Sequence, residues 1–200
     1  VNGAGQWIGE RIVLVGEGEE ALNARTAFGE KSIGILFQKD GEPYRNFFKI
    51  VDSDGKELRP AEGLDPEVSV DGVGYRGAHG GDIAFDGSGF VFVWRVGKPN
   101  AKGIVFWSRV DEETHEEVRA DVTMEGDEDP HGEFNLYTLI KVAVQGETSV
   151  VSFVRDYYNQ SLDMTLEKSQ IIKVSKDGTV SPSVTTAPSQ MWNYHHEARI

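Results

Sequence analysis

The chain contains no cysteine, which excludes disulfide bridges, thiolate metal sites and thiol nucleophiles together. Long apolar runs are missing too. The longest, "IVLV" at 12–15 and "FVFVW" at 90–94, are four or five residues, whereas a membrane-spanning helix needs about 20. Positive charge is scarce: 20 Lys and Arg stand against 33 Asp and Glu, a net charge of −13, with no basic cluster anywhere. Such a chain repels phosphate backbones and anionic lipid, so neither nucleic acid nor a membrane surface is an expected partner. The sequence also has no Gly-x-Ser-x-Gly elbow, no Gly-rich phosphate loop and no His-Glu-x-x-His pair. Their absence removes the serine hydrolase, nucleotide-binding and zincin readings. The chain opens on Val1 rather than Met, as expected of one that has lost a signal peptide or a larger flanking portion.

What is present is strand-like. The 200 residues suffice for one domain with its own core. Nearly every strong segment is short, rich in Val, Ile, Phe and Trp, and bounded by Gly, Asp, Asn or Pro. In "IAFDGSGFVFVWRVG" two apolar runs flank Asp86-Gly87-Ser88-Gly89, and glycine supplies the positive φ angles that a tight hairpin requires.

The unit recurs. A second strand ends at Gln38, Arg95 and Arg155, spacings of 57 and 60, and a later strand aligns Val51, Val110 and Val174 at 59 and 64. "RIVLVGEG", "DIAFDGSG" and "KVAVQGET" align as first strands, and Arg199-Ile200 matches Arg11-Ile12. The segment "GEGEEALNARTAFGEKS" departs from the pattern, and its Glu, Ala, Leu and Arg content predicts a helical turn or two inserted between two strands. A period near 60 built from four short antiparallel strands predicts an all-β fold whose four-stranded blade repeats form part of a β-propeller. About three blades are expected in one repeat region, 1–200, with repeats at 9–64, 65–130 and 131–188 and a further one starting at 189–200. A β-sandwich or jelly roll is the alternative. Because propellers close with four to eight blades, a homo-oligomer or the remainder of a longer propeller chain is expected to complete the ring.

Aligning Ile83 with Ile200 sets "YRGAHGGDI" over "WNYHHEARI", so that His79 coincides with His196, each four residues ahead of an inner strand. His131 and His195 precede first strands as well. Imidazoles converging at a channel mouth are suited to general acid/base work or metal binding. His79, His196, Tyr194 and Arg76 are the candidate catalytic set. His131, His195, Trp192, Tyr75, Arg11 and Arg199 are candidate ligand-binding residues, by stacking or by bidentate contact. Solvated loop histidines give the same pattern. Asp127, Glu128 and Asp129 beside His131 offer hard donors for a divalent metal such as calcium, or form a solvated acidic loop. "DSDGKEL" at 52–58 starts like a calcium loop but lacks the later ligands, and reads as a strand-end turn. Trp94 and Trp107 fall inside strands and are expected to pack between blades.

The "DGSGFVFVWR" hairpin, with His, Tyr or Arg before the inner strand, resembles the propellers of sialidases and polysaccharide lyases. The resemblance implies an acidic glycan at the channel mouth, with Arg11 and Arg199 as carboxylate binders. Three functions are compatible with these residues: a secreted or cell-surface segment binding glycan or protein; a lyase or glycosidase acting on acidic polysaccharide; and a structural protein assembling into rings or filaments.

Overall fold

The computed structural model describes residues 13–16, 19–39, 45–64, 81–98, 101–122, 137–159, 164–182 and 184–185. Among the described residues there are twelve strands and no helix, so nothing helical is long and apolar enough to cross a membrane. Sheet 1 comprises β1 (Ala21–Phe28), β2 (Ser32–Lys39), β3 (Arg45–Asp52) and β4 (Glu57–Gly63). Sheet 2 comprises β5 (Gly81–Phe85), β6 (Gly89–Lys98), β7 (Ala101–Asp111) and β8 (Glu117–Asp121). Sheet 3 comprises β9 (Tyr137–Gln145), β10 (Thr148–Asn159), β11 (Met164–Ser175) and β12 (Val184–Thr185). Each is an antiparallel meander in which strands adjacent in sequence are adjacent in space.

The sheets stack. Alternation along β6 sends Phe90, Phe92 and Trp94 into a cluster with Leu36, Phe48 and Ile50 of sheet 1. It sends Val91 and Val93 into another with Val142, Val151, Phe153 and Ile172 of sheet 3. Sheet 2 is therefore covered on both faces, which a two-sheet sandwich does not provide. The first strand β5 contacts β1 on one side and β9 on the other, so the first strands share the inner position. This is the all-β, antiparallel four-stranded blade repeat of part of a β-propeller. Trp94 and Trp107 are both fully buried, Trp94 against sheet 1 and Trp107 against sheet 3. Close approach of the sheets explains Gly34, where a Cβ would lie 2.5 Å from the Phe90 ring.

One segment differs from its sequence expectation. "ALNARTAF" forms strand β1, not a helical turn, and it, rather than "RIVLV", pairs with β2 through Thr26↔Ile35 and Phe28↔Ile33. Helix propensity is worth only tenths of a kcal/mol per residue, and pairing with β2 plus burial of Ala27 outweighs it. The strand is irregular, with a bulge between Leu22 and Arg25 and Asn23 at φ 50°. Leu14 and Val15 instead pack on the outer face of sheet 1, over Ile35, Phe37 and Val51.

Candidate functional site

In a meander the connections alternate between two ends. The first-to-second and third-to-fourth turns lie at one end, and the strands β2, β4, β6, β8 and β10 finish at the other. These are called the turn end and the connection end below.

Several polar side chains are buried near the connection end. Gln38 closes the buried run of β2, Asn46 lies near the start of β3 opposite it, and Arg95 is buried in the second half of β6. Asn23 Nδ2 donates to Gln38 Oε1 at 2.5 Å, while Gln38 Nε2 and Trp94 Nε1 are buried donors with no partner among the described residues. Unsatisfied buried donors are uncommon, so hydrogen-bonding capacity is left over in this half of the first two sheets. Asp82, at the start of β5, accepts from the Val142 amide at 3.1 Å and ties sheet 2 to sheet 3.

The turn end is closed by charge. Glu112, 8 % exposed, accepts from the amides of Glu30 (3.2 Å), Lys31 (2.9 Å) and Ser32 (2.9 Å) and from Ser32 Oγ (2.6 Å). Burial opposes its charge, but the Ser32 hydroxyl and the three amides outweigh burial and hold its carboxyl below the usual range. In sheet 2, Asp86 Oδ1 accepts from the Ser88 and Gly89 amides at 2.9 and 2.7 Å, and Arg109 Nε donates to Asp86 Oδ2 at 2.6 Å. Burial again opposes the charge, and Arg109 with the Ser88 and Gly89 amides lowers the Asp86 pKa nonetheless. Lys176 Nζ donates to Ser88 Oγ at 2.8 Å. Beside it an open groove of about 560 Å³ is lined by Arg109, Glu147, Lys176 and Asp177 among others.

At the outer rim of sheets 1 and 2, Arg59 bridges Glu62 (2.7 Å) and Glu117 (2.9 Å), and Arg119 lies 5.2 Å over the Trp94 ring. Glu117 takes the Ser108 hydroxyl at 2.5 Å. Burial opposes the Glu117 charge, but Ser108, Arg119 and Arg59 hold its pKa low.

The residues chosen from sequence, His79, His131, His195, His196, Tyr75, Arg76, Trp192, Tyr194, Arg11, Arg199, Asp127 and Asp129, all lie outside the described residues. Among the described residues no three His, Asp or Glu side chains are grouped to hold a metal ion. The "DSDG" segment is a strand-end turn, with Asp52 Oδ1 accepting from the Asp54 and Lys56 amides. Asp111 plays the same part in the β7–β8 turn. Sequence reasoning missed Glu112 and Asp86. Asp86 had a signal, an Asx turn before Ser-Gly, whereas the partners of Glu112 lie some eighty residues away.

No family model matches the chain, and no curated protein matches it. Among solved structures it is similar to a subtype N10 neuraminidase-like protein of A/little yellow-shouldered bat/Guatemala/060/2010, at 13% identity and a TM-score of 0.47 over 85% of this chain and 48% of that one. It is similar too to a neuraminidase-like protein from A/bat/Guatemala/164/2009, at 12% identity and a TM-score of 0.47 over 84% of this chain and 41% of that one. The chain thus spans less than half the length of these neighbours.

Proposed function

We propose that the chain is a ligand-binding segment of a secreted or cell-surface β-propeller, about three blades of a larger ring, recognising a glycan or a protein partner at its connection end. The observation that carries this reading is the contrast between the two ends. At the turn end, carboxylates are committed to neighbouring amides and cations. The connection end has buried polar side chains and unused donors at Gln38 and Trp94. The segments 65–80 and 123–136, which follow β4 and β8 in sequence, carry Tyr75, Arg76, His79 and His131. Aromatic and guanidinium groups of this kind suit sugar rings and carboxylates.

Retention on a glycan array and on immobilised acidic polysaccharide tests the reading. Specific retention that falls at least about tenfold in Trp192→Ala or Tyr194→Ala, the loss of roughly 1.4 kcal/mol of contact, is the expected result. No retention on any glycan overturns the glycan reading. Depolymerisation of an acidic polysaccharide, abolished by His79→Ala and by His196→Ala, assigns an enzyme instead.

A further inference from the structure

We propose that the groove at the turn end of the seam between sheets 2 and 3 binds a small zwitterion, an α-amino acid or short peptide with an apolar side chain. The groove lies at the opposite end from the connections, so its occupant is a second ligand and not the one proposed above.

Two turns of sheet 3 build one side of it. Lys176, the first residue after β11, donates its backbone amide to the Glu147 carbonyl at 2.9 Å and ties the β11–β12 turn to the β9–β10 turn. Gly178, at φ 85°, lets the β11–β12 turn close on β8, because a Cβ there would lie 3.0 Å from Val118 Cγ1. Strands β7 and β8 supply the other side through Arg109 and Val118. The open space of about 560 Å³ falls within the range of small-ligand sites, roughly 300–1,000 Å³.

The cations that line the groove are only partly spent. Arg109 is 5 % exposed, and its Nε and Nη2 are used on Asp86 and Ser88. Its Nη1 stands 3.6 Å from Asp111 Oδ2, too far for a hydrogen bond, and makes none among the described residues. Lys176 Nζ donates to Ser88 Oγ at 2.8 Å and pairs with no carboxylate among the described residues. An ammonium has three donors, so two stay open.

The same groove is lined by the carboxylates of Glu147 and Asp177, and neither pairs with a cation among the described residues. Asp177 Oδ1 accepts from the Thr179 amide at 3.0 Å, which holds its carboxyl below the ordinary pKa and leaves the second oxygen open. Charges of both signs therefore border one space without meeting. A dianion such as phosphate is repelled by the two carboxylates, and a bare cation is repelled by Lys176. A ligand carrying one charge of each sign satisfies both sets. Its carboxylate is received by Lys176 Nζ, Arg109 Nη1 and the Thr148 hydroxyl, its ammonium by Glu147 and Asp177, and its side chain by Val118, which is 36 % exposed.

Calorimetry and amide NMR of the intact chain test this with four probes: L-leucine, leucinamide, which lacks the carboxylate, N-acetyl-leucine, which lacks the ammonium, and the dipeptide Gly-Leu. Leucine or Gly-Leu is expected to shift the Glu147, Thr148, Lys176 and Asp177 amides saturably. The tighter of the two separates a free amino acid from a short peptide. Either should bind at least about tenfold more tightly than leucinamide or N-acetyl-leucine, the worth of one charge-assisted hydrogen bond. Lys176→Met should erase the advantage over leucinamide, and Glu147→Gln with Asp177→Asn the advantage over N-acetyl-leucine, while the Phe92 and Val142 amides report an unchanged fold. No saturable shift with either zwitterion overturns the site, whatever the connection end binds. N-acetyl-leucine binding as tightly as leucine overturns the zwitterion, and an affinity unaltered by Lys176→Met overturns the contacts assigned to it.

Discussion

The two seams between sheets share a meander and differ in chemistry. Between sheets 1 and 2 the core is aromatic, with Phe48 stacked on Phe92 at 4.4 Å and Trp94 on Phe106 at 5.3 Å. Its turn end is sealed by Glu112 and its rim by Arg59, Glu117 and Arg119. Between sheets 2 and 3 the core is mainly β-branched, Val91, Val93, Val105, Val142 and Val151 around Trp107 and Phe153. That seam is tied at the connection end by Asp82 and has an open groove at the turn end. The difference teaches that face-to-face stacking needs only apolar area, while the polar ties differ from one end of a seam to the other. The first seam has a carboxylate clamp at its turns, whereas the second has its carboxylate tie at Asp82 and, among the described residues, only Lys176 on Ser88 at its turns.

The sharpest way to break this comparison is to remove its aromatic element. Phe92→Ala is expected to cost about 3–5 kcal/mol in chemical denaturation, and Val151→Ala about 2, because the ring leaves the larger cavity. Equal losses would show that the seams are energetically alike. Glu112→Ala comes next, at about 2–3 kcal/mol, since it strands three amides and a hydroxyl. Hydrogen exchange should quicken at Lys31 and Ser32 and stay slow at Val142.

Acid probes the turn-end carboxylates without mutation. Glu112 and Asp86 both have folded pKa values below their ordinary ones. Each stabilises fully above its unfolded value, about 4.3 for Glu and 3.9 for Asp, and this is lost as pH falls through the lower folded value. Denaturation from pH 6 downward should therefore show stability constant to about pH 5 and falling below it. Glu112→Gln should remove part of that fall, and a profile unchanged by the substitution would take the clamp away. The smallest effect is expected for Lys176→Ala, below about 1 kcal/mol and weaker still in high salt, because an ammonium on a hydroxyl near solvent is well screened.

How far the sequence revealed this molecule follows from the range of the interactions involved. The Asp86–Gly89 hairpin, the interior Trp94 and Trp107 and the recurring four-strand unit rest on local alternation and turn chemistry, which neighbouring letters carry. Strand β1 was hidden because Ala, Leu and Arg favour a helix in isolation, and only the ladder to β2 overrides them. Glu112 was hidden inside "DEETHEE", where a carboxylate seated on distant amides reads like any solvated acid. The histidines and tyrosines chosen from the repeat alignment fall outside the described residues, so only the strand ends beside them enter the site.

Asp86, which satisfies its own turn, has a consequence for the order in which the sheets come together. A turn that reads a neighbour's acid accepts few followers, and a turn that supplies its own acid accepts one bearing a base. The apolar faces are broadly interchangeable, so these few polar letters act as an address: they name the sheet that follows. Exchanging the turn residues of sheets 1 and 2 while leaving every core residue in place should then misdirect the succession of sheets, although each meander would still form.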